Sequence, residues 1–96
     1  MSLRELLRVR RNDILEIAAR HGAHNVQVFG SVARDEARPG SDVDILVELD
    51  PGRTLLDHAA MMLELEALLG CEVDVVTRRA LRPRVRDRVL REAIPI

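Results

Sequence analysis

The chain has 96 residues, of which 47% are apolar, and its fifteen basic and sixteen acidic side chains leave a net charge of −1. This length predicts one domain over residues 1–96 with a small core. The near-neutral charge argues neither for nor against nucleic-acid binding, but a single aromatic residue, Phe29, excludes a base-stacking surface. The absence of lysine excludes Schiff-base chemistry and a P-loop lysine.

Cysteine content and hydropathy bear on the compartment. The single cysteine, Cys71, cannot form an internal disulfide, which favours a reducing environment. Residues 1–5 lack an uninterrupted apolar run, and no stretch of the sequence approaches membrane-spanning length. We therefore expect a cytoplasmic protein without a membrane segment.

Turn formers and apolar spacing divide the chain into seven predicted elements in the order α-β-α-β-α-β-α. They are a helix over 2–20, a strand over 26–29, a helix over 32–37 ended by Pro39-Gly40, a strand over 42–49, a helix from about 55 to 69, a strand over 72–77, and a helix from Pro83 ended by Pro95. Alternating elements favour an α/β (α+β) fold, with a mixed sheet of three to four strands and helices on one face.

Helix ends carry recognisable signals. Ser2 and Glu5 fit a capping box for the first helix, and Gly22 suits a left-handed cap after its end. Thr54 caps the long helix in the second half of the chain, and Gly70 stops it. The apolar stripe expected to face the core from this helix comprises Leu55, Leu56, Ala59, Met62, Leu63 and Ala67.

Gly30 and Ser31 lie between a predicted strand and a predicted helix. Backbone N–H groups at the start of a helix attract anions, and glycine allows a close approach of the backbone. In one interpretation, Ser31 Oγ and the following amides contact the β- and γ-phosphates of a nucleoside triphosphate. In the other, Ser31 is the N-cap of an ordinary turn, and the dipeptide taken alone favours this second interpretation.

Asp42 and Asp44 lie two residues apart in an otherwise apolar strand, so their side chains point to the same side. Aspartate is disfavoured in strands, and two unpaired carboxylates in a buried strand repel each other unless a cation compensates them. The pair therefore favours a Mg²⁺ site over a solvated strand face, since Mg²⁺ prefers oxygen ligands and substrate phosphate.

Asp74 repeats the anomaly in the apolar strand over 72–77. If this strand lies beside the strand of Asp42 and Asp44, three carboxylates converge on one face and could hold two metal ions. Asp74 would then be placed to accept the proton of an attacking hydroxyl. A sheet-edge residue facing water is the alternative.

The spacing of these residues resembles that of a known family. Gly30-Ser31, ten intervening residues and Asp42-Val43-Asp44 match the Gly-Ser-x10-Asp-x-Asp pattern of minimal nucleotidyltransferases, a branch of the DNA polymerase β-like nucleotidyltransferase superfamily. Arg34 and Ser41 also fall where these sequences carry arginine and serine, and Asp74 resembles their third carboxylate. The similarity extends over roughly residues 5–94.

The resemblance implies a specific activity. It is to MntA-like antitoxins of HEPN/MNT toxin–antitoxin systems, which transfer AMP from ATP to a tyrosine hydroxyl of a HEPN toxin with Mg²⁺, two ions being expected. It implies nucleotide contacts by Gly30, Ser31, Arg34 and Ser41, and metal binding and catalysis by Asp42, Asp44 and Asp74. Since 96 residues supply only the catalytic palm, we expect the acceptor to arrive on a partner.

Two other functions stay open. The chain could be a catalytically weak, nucleotide-binding antitoxin that neutralises its partner by steric binding, or it could transfer nucleotides to a small molecule or an RNA end. Residues 78–91 are rich in arginine, with Asp87 and the following Glu92 partly offsetting the charge. This segment is either a patch for an acidic partner, triphosphate or RNA, or the solvated face of an amphipathic helix.

Overall fold

The computed structural model describes residues 1–38 and 40–96. Within these residues it contains five α-helices, one 3-10 turn and four strands. In chain order these are α1 Leu3–Val9, α2 Arg11–Arg20, β1 Ala23–Phe29, α3 Gly30–Ala33, β2 Val43–Leu49, α4 Leu55–Leu69, β3 Val73–Thr77, the 3-10 turn Arg78–Ala80, α5 Pro83–Glu92 and β4 Ile94–Pro95.

The four strands form one mixed sheet in the order β3-β2-β1-β4. β1 is antiparallel to both β2 and β4, whereas β2 and β3 are parallel. This arrangement confirms the expected mixed sheet. The last strand was not among the seven predicted elements: Ile94 and Pro95 pair with β1 at the edge of the sheet, where a proline without an N–H is tolerated.

The predicted helix over 2–20 is wrong as a single element, because it breaks into α1 and α2 at Arg10. The backbone of Arg10 (φ −95°, ψ 10°) departs from helical values, and all six side chains of residues 8–13 are exposed. No core contact therefore holds this stretch in one continuous helix. The cap at the start is as predicted, since the Ser2 side chain accepts a hydrogen bond from the Glu5 N–H.

The elements around Gly30 also differ in extent from the prediction. β1 begins at Ala23 instead of residue 26, because a bulge with Asn25 at φ 51° keeps the polar start of the strand paired with β2. The helix expected over 32–37 is instead Gly30–Ala33, and Asp35, at φ 59°, follows its end. Pro39, expected to help end this helix, lies outside the described residues.

Helix α4 has the predicted bounds and caps, but it buries a different face. Thr54 Oγ1 accepts a hydrogen bond from the Leu56 N–H, and Gly70 adopts a left-handed conformation. The fully or nearly fully buried residues are Met61, Leu65 and Leu69. From the stripe predicted to face the core, three leucines are instead exposed: Leu55 (83%), Leu56 (81%) and Leu63 (60%).

The main core lies between the sheet and helices α1, α2 and α4, with Ile14, Ile45 and Met61 among its fully buried side chains. Leu46 is also fully buried but lies outside this cluster, on the β2 face that carries Asp44. The β2 face that carries Asp44 is therefore covered at Leu46 and partly exposed at Asp44. No described helix is both long enough and apolar enough to span a membrane.

Candidate active site

The parallel pairing of β2 and β3 places Asp44 directly opposite Asp74. Registered residues on neighbouring strands project from the same face of a sheet, so the two carboxylates lie side by side. Asp42 precedes β2 by one residue and lies two positions from Asp44. Asp44 is half-buried, whereas Asp42 and Asp74 are exposed.

The electrostatic environment of Asp44 disfavours its charge. Partial burial, followed by repulsion from Asp74 and then Asp42, raises the pKa of Asp44 above its ordinary value, and Arg34 offsets this only in part. Asp44 therefore lies close enough to both other carboxylates to be repelled by them. A divalent cation would relieve this repulsion.

The three carboxylates are neighbours but do not form a complete metal-binding site by themselves. Within residues 1–38 and 40–96, no three His, Cys, Asp or Glu side chains are grouped closely enough to hold a metal ion by themselves. Asp42 and Asp44 line the same cleft, and Asp74 lies on the next strand outside the cleft lining. Such an open arrangement suits a cation that takes part of its coordination shell from substrate phosphate and water.

Gly30 joins β1 to α3 and lies next to the Asp44 carboxylate. Its φ of +73° favours glycine, and a Cβ at this position would collide with the Asp44 carboxylate. Ser31 is the second residue of α3, since the helix begins at Gly30 and the N-cap position belongs to Phe29. The alternative of Ser31 as an N-cap is therefore wrong, and Ser31 lines the cleft.

Arg34 follows α3 and is held by two acids. Its Nε donates to Glu36 Oε2 at 3.1 Å, and its Nη1 donates to both carboxylate oxygens of Glu92 at 3.1 and 3.2 Å. These hydrogen bonds, the one to Glu36 first, raise the pKa of Arg34 further above its already high ordinary value. Ser41 Oγ accepts a hydrogen bond from the Arg38 N–H at 2.8 Å and also lines the cleft.

These side chains border an open cleft of about 390 Å³. It brings together six of the seven predicted site residues: Gly30, Ser31, Arg34, Ser41, Asp42 and Asp44. Three further lining residues, Phe29, Val89 and Glu92, were not predicted to belong to the site, and a fourth, Arg88, comes from the arginine-rich segment for which triphosphate binding was one of the interpretations left open. Glu92 did leave a signal, because an acid at the last position of a helix opposes the helix dipole.

The chain is similar to a known family and to proteins of that family. A family model described as a nucleotidyltransferase domain matches residues 11–96. A protein of Thermococcus cleftensis named protein adenylyltransferase MntA is 42% identical over 79 residues, which cover 82% of this chain and 80% of the relative.

Two solved structures have a similar fold. One, described as a candidate minimal nucleotidyltransferase, superposes with a TM-score of 0.89 at 60% identity and covers 100% of this chain and 97% of its own. The other, a toxin–antitoxin crystallised with AMP-PNP, has a TM-score of 0.75 at 20% identity and covers 88% of this chain and 69% of its own. The second shows likeness of fold alone.

Proposed function

Since this chain belongs to the nucleotidyltransferase domain family, we propose that it transfers AMP from ATP to a tyrosine hydroxyl of a HEPN-type toxin and thereby acts as its antitoxin. The observation that carries this proposal is the registered pair Asp44–Asp74 beside the Gly30-Ser31 turn. The relative named a protein adenylyltransferase supports a protein acceptor. A toxin–antitoxin of similar fold was crystallised with AMP-PNP, and we extend an adenine nucleotide and a toxin partner to this chain as part of the proposal.

The reaction follows from the positions of the groups. The acceptor oxygen attacks the α-phosphorus of ATP and forms a new P–O bond, while the bond from that phosphorus to the α,β-bridging oxygen breaks and pyrophosphate leaves. Asp74, exposed beside Asp44, accepts the hydroxyl proton. Gly30, Ser31 and Arg34 hold the β- and γ-phosphates, so that most of the acceleration comes from positioning and charge stabilisation.

Asp42, Asp44 and Asp74 fit Mg²⁺ as a cofactor. They supply oxygen ligands, and the raised pKa of Asp44 reflects burial and mutual repulsion that a cation would offset. Bound there, Mg²⁺ would neutralise triphosphate charge in the transition state. The single cysteine fits a reducing compartment, and we place the reaction in the cytoplasm.

Label transfer from α-labelled ATP tests the proposal. The chain is incubated with ATP, Mg²⁺ and the protein encoded by the adjacent reading frame, and the labelled residue is located by mass spectrometry. Because this chain contains no tyrosine, a label on tyrosine must lie on the partner. We expect Asp44→Asn to reduce transfer by at least about a hundredfold, the scale on which loss of transition-state electrostatic stabilisation is measured.

Glu48→Gln is the matched control, because Glu48 lies further along β2 and hydrogen-bonds Asn25 away from the cleft. Asn preserves the shape of Asp44 and removes a charge that the fold disfavours, so this variant should fold at least as stably as the wild type. Undiminished transfer by Asp44→Asn would refute the assignment. Label recovered on RNA or a small molecule would support the corresponding alternative acceptor.

A further inference from the structure

Glu92 contacts the same groups that the proposed function assigns to the triphosphate. It is the last residue of α5, and its side chain is 17% exposed. Oε1 accepts a hydrogen bond from the Gly30 N–H at 2.9 Å. Both carboxylate oxygens accept hydrogen bonds from Arg34 Nη1. One internal carboxylate therefore occupies both the backbone donor of the Gly-Ser turn and the guanidinium beside it.

This carboxylate is held as an anion. Partial burial alone would raise its pKa, but the hydrogen bonds from the Gly30 N–H and Arg34 outweigh that effect and lower the pKa of Glu92 below its ordinary value. An ionised glutamate at the C-terminal end of a helix also opposes the helix dipole. Its position therefore depends on Gly30 and Arg34, 58 to 62 residues earlier in the chain.

A carboxylate and a phosphate make the same demands on these groups, because both are anionic hydrogen-bond acceptors. The Gly30 N–H donates to one acceptor at a time, and a phosphate group placed at this N–H and at Arg34 would be repelled by the adjacent Glu92 carboxylate. Arg34 also binds Glu36, but through Nε, so Glu92 is the acid that shares both donors. The triphosphate carries several charges and the glutamate only one. Nucleotide binding is therefore expected to displace the Glu92 carboxylate. The free energy needed to separate Glu92 from Gly30 and Arg34 then weakens the binding of the nucleotide and raises its Kd.

We propose that Glu92 is a built-in competitor of the nucleotide: in the free protein it occupies the anion-binding position of Gly30 and Arg34, and the triphosphate must displace it. The inference depends on the proposed function only for the identity of the ligand as a nucleoside triphosphate. It makes Glu92 a determinant of ATP affinity, although Glu92 takes no part in the bond-making step.

Glu92→Gln tests the competition, because glutamine has the size of glutamate without its charge. Binding of ATP with Mg²⁺, of inorganic tripolyphosphate and of adenosine is measured by titration calorimetry. For ATP and tripolyphosphate we expect about a tenfold lower Kd, equivalent to about 1.4 kcal/mol. Adenosine, which has no phosphate, should bind the variant and the wild type equally.

Asp87→Asn is the control, since Asp87 is exposed on the same helix and its replacement also removes one negative charge. Its Kd for ATP should stay within about twofold of the wild type. The melting temperature of Glu92→Gln without ligand should fall, because the charged acceptor for Gly30 and Arg34 is lost. Tighter binding by a less stable variant is not the result expected from general damage to the fold.

Three results would overturn the proposal: an unchanged Kd for ATP in Glu92→Gln, a higher one, or a gain that adenosine shares. Glu92→Asp, with a side chain one methylene shorter, gives a second measurement if the glutamine variant does not fold, and it should also lower the Kd. Failure of the proposed function is distinguishable. If Glu92→Gln binds ATP more tightly but the wild type transfers no AMP, the role of Glu92 is supported and the proposed transfer is refuted. If the wild type transfers AMP but Glu92→Gln has an unchanged Kd for ATP, the proposed transfer is supported and the role of Glu92 is refuted.

Discussion

At the scale of single residues, Gly30 and Asp44 depend on each other because they occupy adjoining space. The positive φ of Gly30 turns the chain from β1 into α3, and the absence of a side chain leaves room for the Asp44 carboxylate. An L-residue at this position meets two obstacles at once: an unfavourable backbone conformation and a collision with the carboxylate. The glycine therefore serves the geometry of the acid and, under the proposed function, the approach of phosphate as well.

Gly30→Ala should consequently destabilise the protein and remove AMP transfer. Gly52→Ala is the matched control, since Gly52 also has a positive φ (90°) but a Cβ there meets no atom within 4 Å. The control should cost about 1 kcal/mol through backbone conformation alone. Gly30→Ala should cost more, because Asp44 must shift as well. Equal unfolding free energies for the two variants, measured by urea denaturation, would contradict the steric coupling.

The sequence supported the prediction of Asp42 and Asp44 as neighbours because strand side chains alternate, which is a local rule. The position of Asp74 was harder to predict, since its place beside Asp44 depends on the pairing and register of β2 and β3. Glu92 left only the signal of an acid at the end of a helix, and its contacts with Gly30 and Arg34 could not be derived because they join distant parts of the chain. Relations between residues within one strand could be predicted from the sequence, whereas contacts between distant parts of the chain could not be established from it.

At the scale of elements, α4 shows why helical spacing alone did not identify the buried face. The helix is apolar on almost every side, so several different stripes satisfy the same periodicity. Its orientation is fixed by polar contacts with β3: His58 Nε2 lies 2.7 Å from the Val75 carbonyl, and Glu66 accepts a hydrogen bond from the Val73 N–H. These contacts direct Met61, Leu65 and Leu69 into the core.

A pair of identical substitutions on α4 tests this orientation. Leu65→Ala should lower the free energy of unfolding by about 3 kcal/mol, because it removes a side chain that is 1% exposed and leaves a cavity. Leu63→Ala, on the opposite side of the helix and 60% exposed, should change it by about 0.5 kcal/mol or less. Denaturant titration of both variants measures the difference. A larger loss for Leu63→Ala would mean that the stripe first predicted from the sequence faces the core.

At the scale of the whole molecule, the order of elements was predictable because each helix and strand carries its own apolar period and its own turn signals. The break at Arg10 and the strand Ile94–Pro95 were not, since both depend on the assembled fold. The first reflects six consecutive side chains without a place in the core, and the second reflects a free edge of β1 that two residues can pair with. Such features arise from packing, which periodicity does not describe.

The stability of the whole fold tests whether ATP binds at all, as it must for an enzyme and for a nucleotide-binding antitoxin but not for a module that acts by steric binding alone. A ligand that binds the folded state stabilises it by mass action, so ATP at a hundred times its Kd should add about 2.7 kcal/mol to the free energy of unfolding. For a domain of 96 residues this corresponds to a rise in melting temperature of roughly 10 °C or more. Thermal melts with and without ATP and Mg²⁺ measure it.

Two controls test whether the rise in melting temperature comes from ATP bound in the cleft. Addition of a chelator should reduce the rise in the wild type, because the crowded carboxylates then lack the cation that offsets their repulsion of the triphosphate. Asp44→Asn should show a smaller rise than Glu48→Gln in the presence of Mg²⁺, since only the first variant changes the cleft. A melting temperature that ATP leaves unaltered at millimolar concentration would mean that the cleft binds no nucleotide under these conditions, and neutralisation of the partner by steric binding would then be the better account.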